Sequence, residues 1–381
     1  MKGRQNLKLK NLNYSMPLII SIILFAILIF IPTGFEDAVI YKEAERCKAE
    51  VISVNNDRII DTGLVRSGEQ TCELKVLNGK FKGETVEGYN PLNGSLENDK
   101  IFEIGDKALI LISYTGDEVL SVSMVDHYRI NYEAVLAGIF VIFLIIFAGK
   151  TGVRAVVSFG VTVLMLWKVL IPLYLKGYDP VIIGLIITAI LIVVIISLVY
   201  GFDKRFISAS TGAFAGLIVT CILGIIFTKT LKIHGAVMAY SESLLYSGYS
   251  DLNLTNIFMA GIFISSSGAV MDLAVDITSA VTEVVDKKPD ISWKEASISG
   301  MNVGKAAMGT MTTTLLLAYS GGYLAMLMVF MAQGTPIYNI LNFKYVSAEI
   351  IDTIVGSFGL VSVAPLTAVT SGFFLTKHNN K

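Results

Sequence analysis

Two hydrophobic patterns share this chain. Eight runs dominated by Ile, Leu, Val and Phe, at residues 17–32, 132–149, 154–175, 180–200, 207–228, 254–275, 304–332 and 346–375, predict membrane-crossing helices. The first is at the short end for a hydrocarbon layer of about 30 Å. Between the first and second runs the pattern changes: apolar stretches at 47–54, 71–77, 81–88, 107–113 and 119–125 are short, β-rich and separated by turn residues. Asn78-Gly79 predicts a hairpin there, because both residues tolerate the positive φ of a type I′ turn. The expected fold is a polytopic α-helical membrane protein of about eight transmembrane helices, with a small external all-β barrel or sandwich between helices 1 and 2.

Composition supports this division. Of 381 residues, 54% are hydrophobic and 16% charged, against about a quarter charged in soluble domains. A net charge of −1 leaves no global positive excess to hold a polynucleotide, so nucleic acid is excluded as a partner. The segment 36–129 carries 18 acidic and 11 basic residues, as a water-exposed domain should. With the amino terminus inside, thirteen basic residues fall in the expected cytoplasmic segments, among them Lys2, Arg4, Lys150, Arg154, Lys204, Lys287 and Lys377; the short external loops hold Lys176, Lys229, Lys232 and Lys344. Both termini are therefore expected in the cytoplasm, with residues 36–129 outside.

Three segments follow from that topology: 1–35, a basic amino terminus and signal-anchor helix; 36–129, the external β domain; and 130–381, seven helices with a cytoplasmic connection at 276–303. No small-x-small cleavage site follows the first run, which favours an anchor over a cleaved signal. Cys47 and Cys72 both lie in the external domain, where a disulfide could persist, but spacing leaves their pairing open; Cys221 reads as an apolar packing residue.

Polar residues inside the runs carry the functional signal. The run from Asn256 places Ser265, Ser266, Ser267 and Gly268 near its middle, followed by Asp272, Asp276, Ser279 and Glu283 on one helical face. An ionisable group at the bilayer centre costs about 2.5–3.5 kcal/mol and marks a functional site by default. A bland alternative is that the helix leaves the membrane near Asp272. The serines allow either a tight helix crossing or an unwound stretch whose freed backbone binds an ion or solute.

The next run contributes Asn302, Lys305, Thr310 and Thr313. Lys305 is expected near Asp272 or Asp276 as a charge partner, with snorkelling to the interface as the alternative. The threonines either back-bond to their own helix or meet a ligand. Glu349 and Asp352 open the last run, read as an external mouth or as solvated loop ends, and Pro365 is expected to kink it.

No catalytic residue, metal site or cofactor is expected. Gly300 to Ala306 has three residues between its glycines where a phosphate loop needs four, Gly149-Lys150-Thr151 lacks the first glycine, and His127, His234 and His378 are isolated. Serines and acids without an assembled nucleophile and base argue against an enzyme.

Three stretches, ELKVLNGKFKGETVEGYNPLNG, SSSGAVMDLAVDITSAVTEV and NVGKAAMGTMTTTLLLAYSGGYLAML, together resemble the YibE/F-like bacterial membrane proteins. Thr312-Thr313-Thr314 stands where the resemblance implies an Asn-Thr pair. The resemblance implies a bacterial cytoplasmic membrane and eight spans, with no substrate or reaction. Two functions remain. One is a transporter or permease for a small ion or solute, with a polar site between the sixth and seventh spans. The other is a membrane-anchored scaffold or sensor whose external domain binds a protein or envelope partner.

Overall fold

A computed structural model describes residues 2–38 and 44–376, with side chains from Ser15 onward. The basic side chains of the amino terminus, and Lys377, His378 and Lys381, fall outside the described residues. The chain divides into two compact units, one of residues 36–143 and one of residues 1–35 with 144–381.

The first unit is a β-barrel. Its strands are β1 (Ala44–Asn55), β2 (Ile59–Asp61), β3 (Arg66–Val76), β4 (Thr85–Asn93), β5 (Lys107–Thr115) and β6 (Glu118–His127). The sheet runs β1-β5-β6-β4-β3-β2, and a further β1–β3 pairing closes it. All pairings are antiparallel except β4–β6, which meet in parallel at Tyr89 and Ser123. A closed five-stranded barrel with this order has the arrangement of an OB-type fold, with β2 as an added hairpin arm.

Strand alternation builds its core: Cys47, Ala49 and Val51 of β1, Cys72, Leu74 and Val76 of β3, and Ala108, Ile110 and Ile112 of β5 point inward at period two. Gly88 on β4 makes this packing possible, because a Cβ there would run into Leu74.

Two expectations change here. The run 81–88 is not one strand: Phe81 turns inward to 2% exposure, and β4 starts only at Thr85. Asn78-Gly79 accordingly sits in a longer connection. Gly79 takes a φ of 80°, and Asn78 Oδ1 accepts from the Lys48 amide at 2.6 Å. The cysteines are both buried and free. Cys72 lies opposite Val54, seven positions along β1 from Cys47, so the two are separated by roughly 20 Å, far beyond disulfide reach.

The second unit is helical: α1 (Lys2–Phe30), most of α2 (Ile130–Met165), α3 (Ile171–Leu175), α4 (Pro180–Tyr200), α5 (Lys204–Thr230), α6 (Ser241–Tyr246), α7 (Leu254–Lys287), α8 (Trp293–Ser320), α9 (Leu324–Ala332), α10 (Ile337–Asn342) and α11 (Lys344–Thr376). Six helical stretches among the described residues are long and apolar enough to cross a membrane, and Ser15–Phe30 is a shorter apolar helix.

The expected spans 132–149 and 154–175 belong to a single 46-residue stretch, Ile130–Leu175. It is interrupted at Gly149, whose φ of 54° and ψ of −124° no helix contains. The chain bends so sharply there that a Cβ on Gly152 would overlap the Leu144 carbonyl. The expected connection 276–303 is also mostly helical, since α7 continues to Lys287 and α8 begins at Trp293 behind a Ser292/Glu295 capping box.

Small residues set the helix spacing. Side chains built on Gly212 and Gly359 would collide with Thr367 and Thr220, so α5 and α11 touch almost backbone to backbone. α11 runs unbroken through Pro365. At the centre is α7, packed against α4, α5, α8 and α11.

Candidate functional site

Asn253 starts α7 by accepting the Asn256 amide on its side chain at 3.0 Å. Phe263, Ser266, Val270, Ala274, Ile277 and Val281 then face the core at helical spacing. The opposite face is unpacked: Gly261, Ser265, Gly268, Asp272, Asp276, Ser279 and Glu283 are all exposed on the helical unit. Asp272 and Asp276 thus share a face, as their spacing requires, and it is the face that α7 leaves open.

The serine run separates by direction. Ser265 lies on the open face, whereas Ser266 and Ser267 are buried. None breaks the helix, and each hydroxyl donates to the carbonyl three residues earlier. The serines are a tight crossing rather than an unwound stretch: a Cβ on Gly356 of α11 would stand 3.2 Å from Ser266 Cβ.

On α8, Asn302, Lys305, Thr310 and Thr313 are exposed. Thr310 and Thr313 donate to the carbonyls of Ala307 and Gly309, so their hydroxyls are held by their own helix. Lys305 makes no ion pair with Asp272 or Asp276, contrary to expectation. Helix geometry explains the miss. Gly304 is the residue turned against Ile277 of α7, and the next side chain is rotated by about 100° from that contact.

At the other end of the open face the acids Glu349 and Asp352, which the sequence placed together at the start of the last run, meet groups from other helices. Ser265 Oγ also donates to Asp352 Oδ1 of α11 at 3.3 Å. Glu349 stands one turn before Asp352, with the Tyr323 hydroxyl facing it, and Tyr319 approaches Ser265. The only hints in the sequence were the three-residue spacing of the acids and the four-residue spacing of the tyrosines. At the opposite end, Tyr200 of α4 bonds to Ser279 Oγ at 2.7 Å and donates to the Val275 carbonyl at 2.6 Å.

A line of polar groups therefore runs from Asp352 and Glu349 through Ser265, Asp272 and Asp276 to Ser279 and Tyr200. Fourteen rises of α7, from Ser265 to Ser279, cover roughly 21 Å of it. None of its four carboxylates in the spans has a Lys or Arg within ion-pair distance among the described residues. Such groups can exchange a proton or hold a cation. No group of three or more His, Cys, Asp or Glu is placed to hold a metal among the described residues.

The chain thus combines an OB-type barrel with a helical unit in which six stretches, among the described residues, are long and apolar enough to cross a membrane. The chain belongs to the YibE/F-like family: the description YibE/F-like protein matches residues 136–377, and YibE/F family N-terminal domain matches residues 40–127. Neither curated proteins nor solved structures give a match.

Proposed function

We propose that this YibE/F-like protein is a transporter or permease of the bacterial cytoplasmic membrane that moves a small ion or solute along the open face of α7. The observation that carries the reading is the polar line from Asp352 to Ser279, with carboxylates inside apolar helices and no basic partner among the described residues. Carboxylates facing lipid would be costly, whereas carboxylates lining a wet or ligand-filled path are not. In this reading the chain crosses the membrane eight times, the break at Gly149 separating two crossings. Both termini lie in the cytoplasm and the barrel outside. The path uses no covalent catalysis.

Reconstitution in liposomes tests it. Flux of monovalent or divalent cations, or of small metabolites, is expected to disappear in Asp272→Asn while the variant keeps the thermal stability of the native protein. Undiminished flux in a folded Asp272→Asn protein removes the path.

A second reading has one supporting observation. On the barrel, Leu64 and Leu96 are 85% and 82% exposed beside a hollow of about 260 Å³ that also contains Arg66 and Asp99. Apolar tips around a small hollow suit a protein or envelope partner. If the barrel is the functional part, Leu64→Glu with Leu96→Glu abolishes function in the cell and Asp272→Asn does not.

A further inference from the structure

A cavity of about 240 Å³ lies where the end of α8, α9 and the start of α11 meet. Its wall is made by Leu316, Met326, Leu327, Val346, Ile350 and Ile354, interrupted by Ser320, Tyr323, Glu349 and Thr353. Leu316, Leu327, Ile350 and Ile354 are also exposed on the flank of the helical unit, so the cavity opens sideways, where a bilayer would offer lipid.

The carboxylate behind this wall is incompletely satisfied. One oxygen of Glu349 is buried without a hydrogen-bond partner. No Lys or Arg comes within ion-pair distance of Glu349 or of Asp352 one turn further on, among the described residues.

A carboxylate in apolar surroundings is neutralised by a proton or by a cation that arrives from outside. A hydrated metal ion gains little here, because the surface the cavity presents is almost wholly apolar and the hydroxyls of Ser320, Tyr323 and Thr353 add few oxygens to replace its water. A cation that brings its own apolar surface matches both features, since its hydrocarbon part fills the cavity while its charge rests near Glu349. We propose that this cavity binds amphiphilic organic cations, quaternary or protonated amines with an aromatic or alkyl body, that enter from the bilayer and take Glu349 as counter-ion. The inference rests on reading the helices as a solute-binding membrane unit, but it does not require transport.

The test uses the purified full chain in lipid nanodiscs, with radiolabelled benzyltrimethylammonium as the probe. Saturable binding is expected in the native protein and at least tenfold weaker binding in Glu349→Gln. Leu327→Trp, which fills the cavity from an exposed position, should abolish binding. Neopentylbenzene, the neutral carbon isostere of the probe, should compete at least tenfold less well. Thermal unfolding checks that each variant is folded, and if Glu349→Gln is not, Leu327→Trp and the isostere decide.

The inference is overturned by non-saturable binding in the native protein, by native affinity in a folded Glu349→Gln or Leu327→Trp variant, or by equal competition from neopentylbenzene. Binding without flux would sink the transport reading and leave this one standing; flux without binding would do the reverse.

Discussion

The barrel and the helical unit treat buried polar groups in opposite ways. In the barrel, the fully buried Gln70 uses its whole amide. Its nitrogen donates to Asn56 Oδ1 and to the Phe102 carbonyl, both at 2.9 Å, and its oxygen accepts from Asn90 Nδ2 at 3.1 Å and the Phe102 amide at 3.0 Å. A single buried side-chain atom of the described barrel, Asn90 Oδ1, is without a partner. In the helical unit, hydroxyls of Thr188, Ser210, Thr228 and Thr367 and one oxygen of Glu349 are buried and unpartnered, while Asp272 and Asp276 face outward from an apolar helix.

The difference teaches where polarity serves structure and where it is held for something else. Gln70 ties β3 to the segment before β5, and its bonds all close within the unit. The α7 line does not close within the chain, and this open polarity is what supports the proposed path.

The largest expected effect tests the closed half of this contrast. Gln70→Leu keeps the side-chain size but removes the partner of one Asn90 Nδ2 hydrogen, whose other bond to the Lys100 carbonyl remains, and of both backbone groups of Phe102. At roughly 1–3 kcal/mol for each unsatisfied group, the barrel should lose at least about 3 kcal/mol. Thermal unfolding followed by protease cleavage between β3 and β5 reads this directly; a loss below 1 kcal/mol, well under that figure, would mean that the network contributes little.

A smaller effect probes how the helical unit is held instead. Gly359→Val drives a side chain into Thr220 at the α5–α11 crossing, and overpacking of this kind costs about 1–3 kcal/mol. A lowered unfolding temperature with an intact barrel is expected, whereas unchanged stability would show that the crossing can separate.

The smallest effect sharpens the account of the barrel core. Burial pushes the Cys47 thiol, with the Glu45 carboxylate adding to it, and the Cys72 thiol up to about 11, from 9.0 in the unconstrained residue. The folded state thus favours the neutral thiol. Its contribution to stability is complete below pH 9, the unfolded value, and is lost as the pH rises from there toward 11. At pH 8 a maleimide should label both thiols slowly in the folded protein, with roughly a hundredfold rise in thiolate on unfolding. Rapid labelling of the native protein, or a non-reduced mass two daltons short, would contradict free and buried cysteines.

Much of this architecture is local and so was legible in the residues alone. Short β-rich runs between turn residues located β1, β3, β5 and β6 and overlapped only the start of β4, and long apolar runs located the long helices. Three- and four-residue spacing put Asp272, Asp276, Ser279 and Glu283 on one face, because a helix repeats every 3.6 residues wherever it lies.

What the tertiary structure decided was which face met what. Spacing cannot say that Ser266 and Ser267 turn toward the core while Ser265 turns to Asp352, because that depends on where α11 crosses, 87 residues away in sequence. Strand register alone separated Cys47 from Cys72, and Gly304, not Lys305, is the α8 residue seated on Ile277 of α7. In the sequence Glu349 and Asp352 read as an external mouth or as solvated loop ends, and only packing brought Tyr319, Tyr323 and Ser265 to them. Periodicity is a property of each segment, whereas a site is made by contacts between segments, and those are set by how small residues let the helices approach.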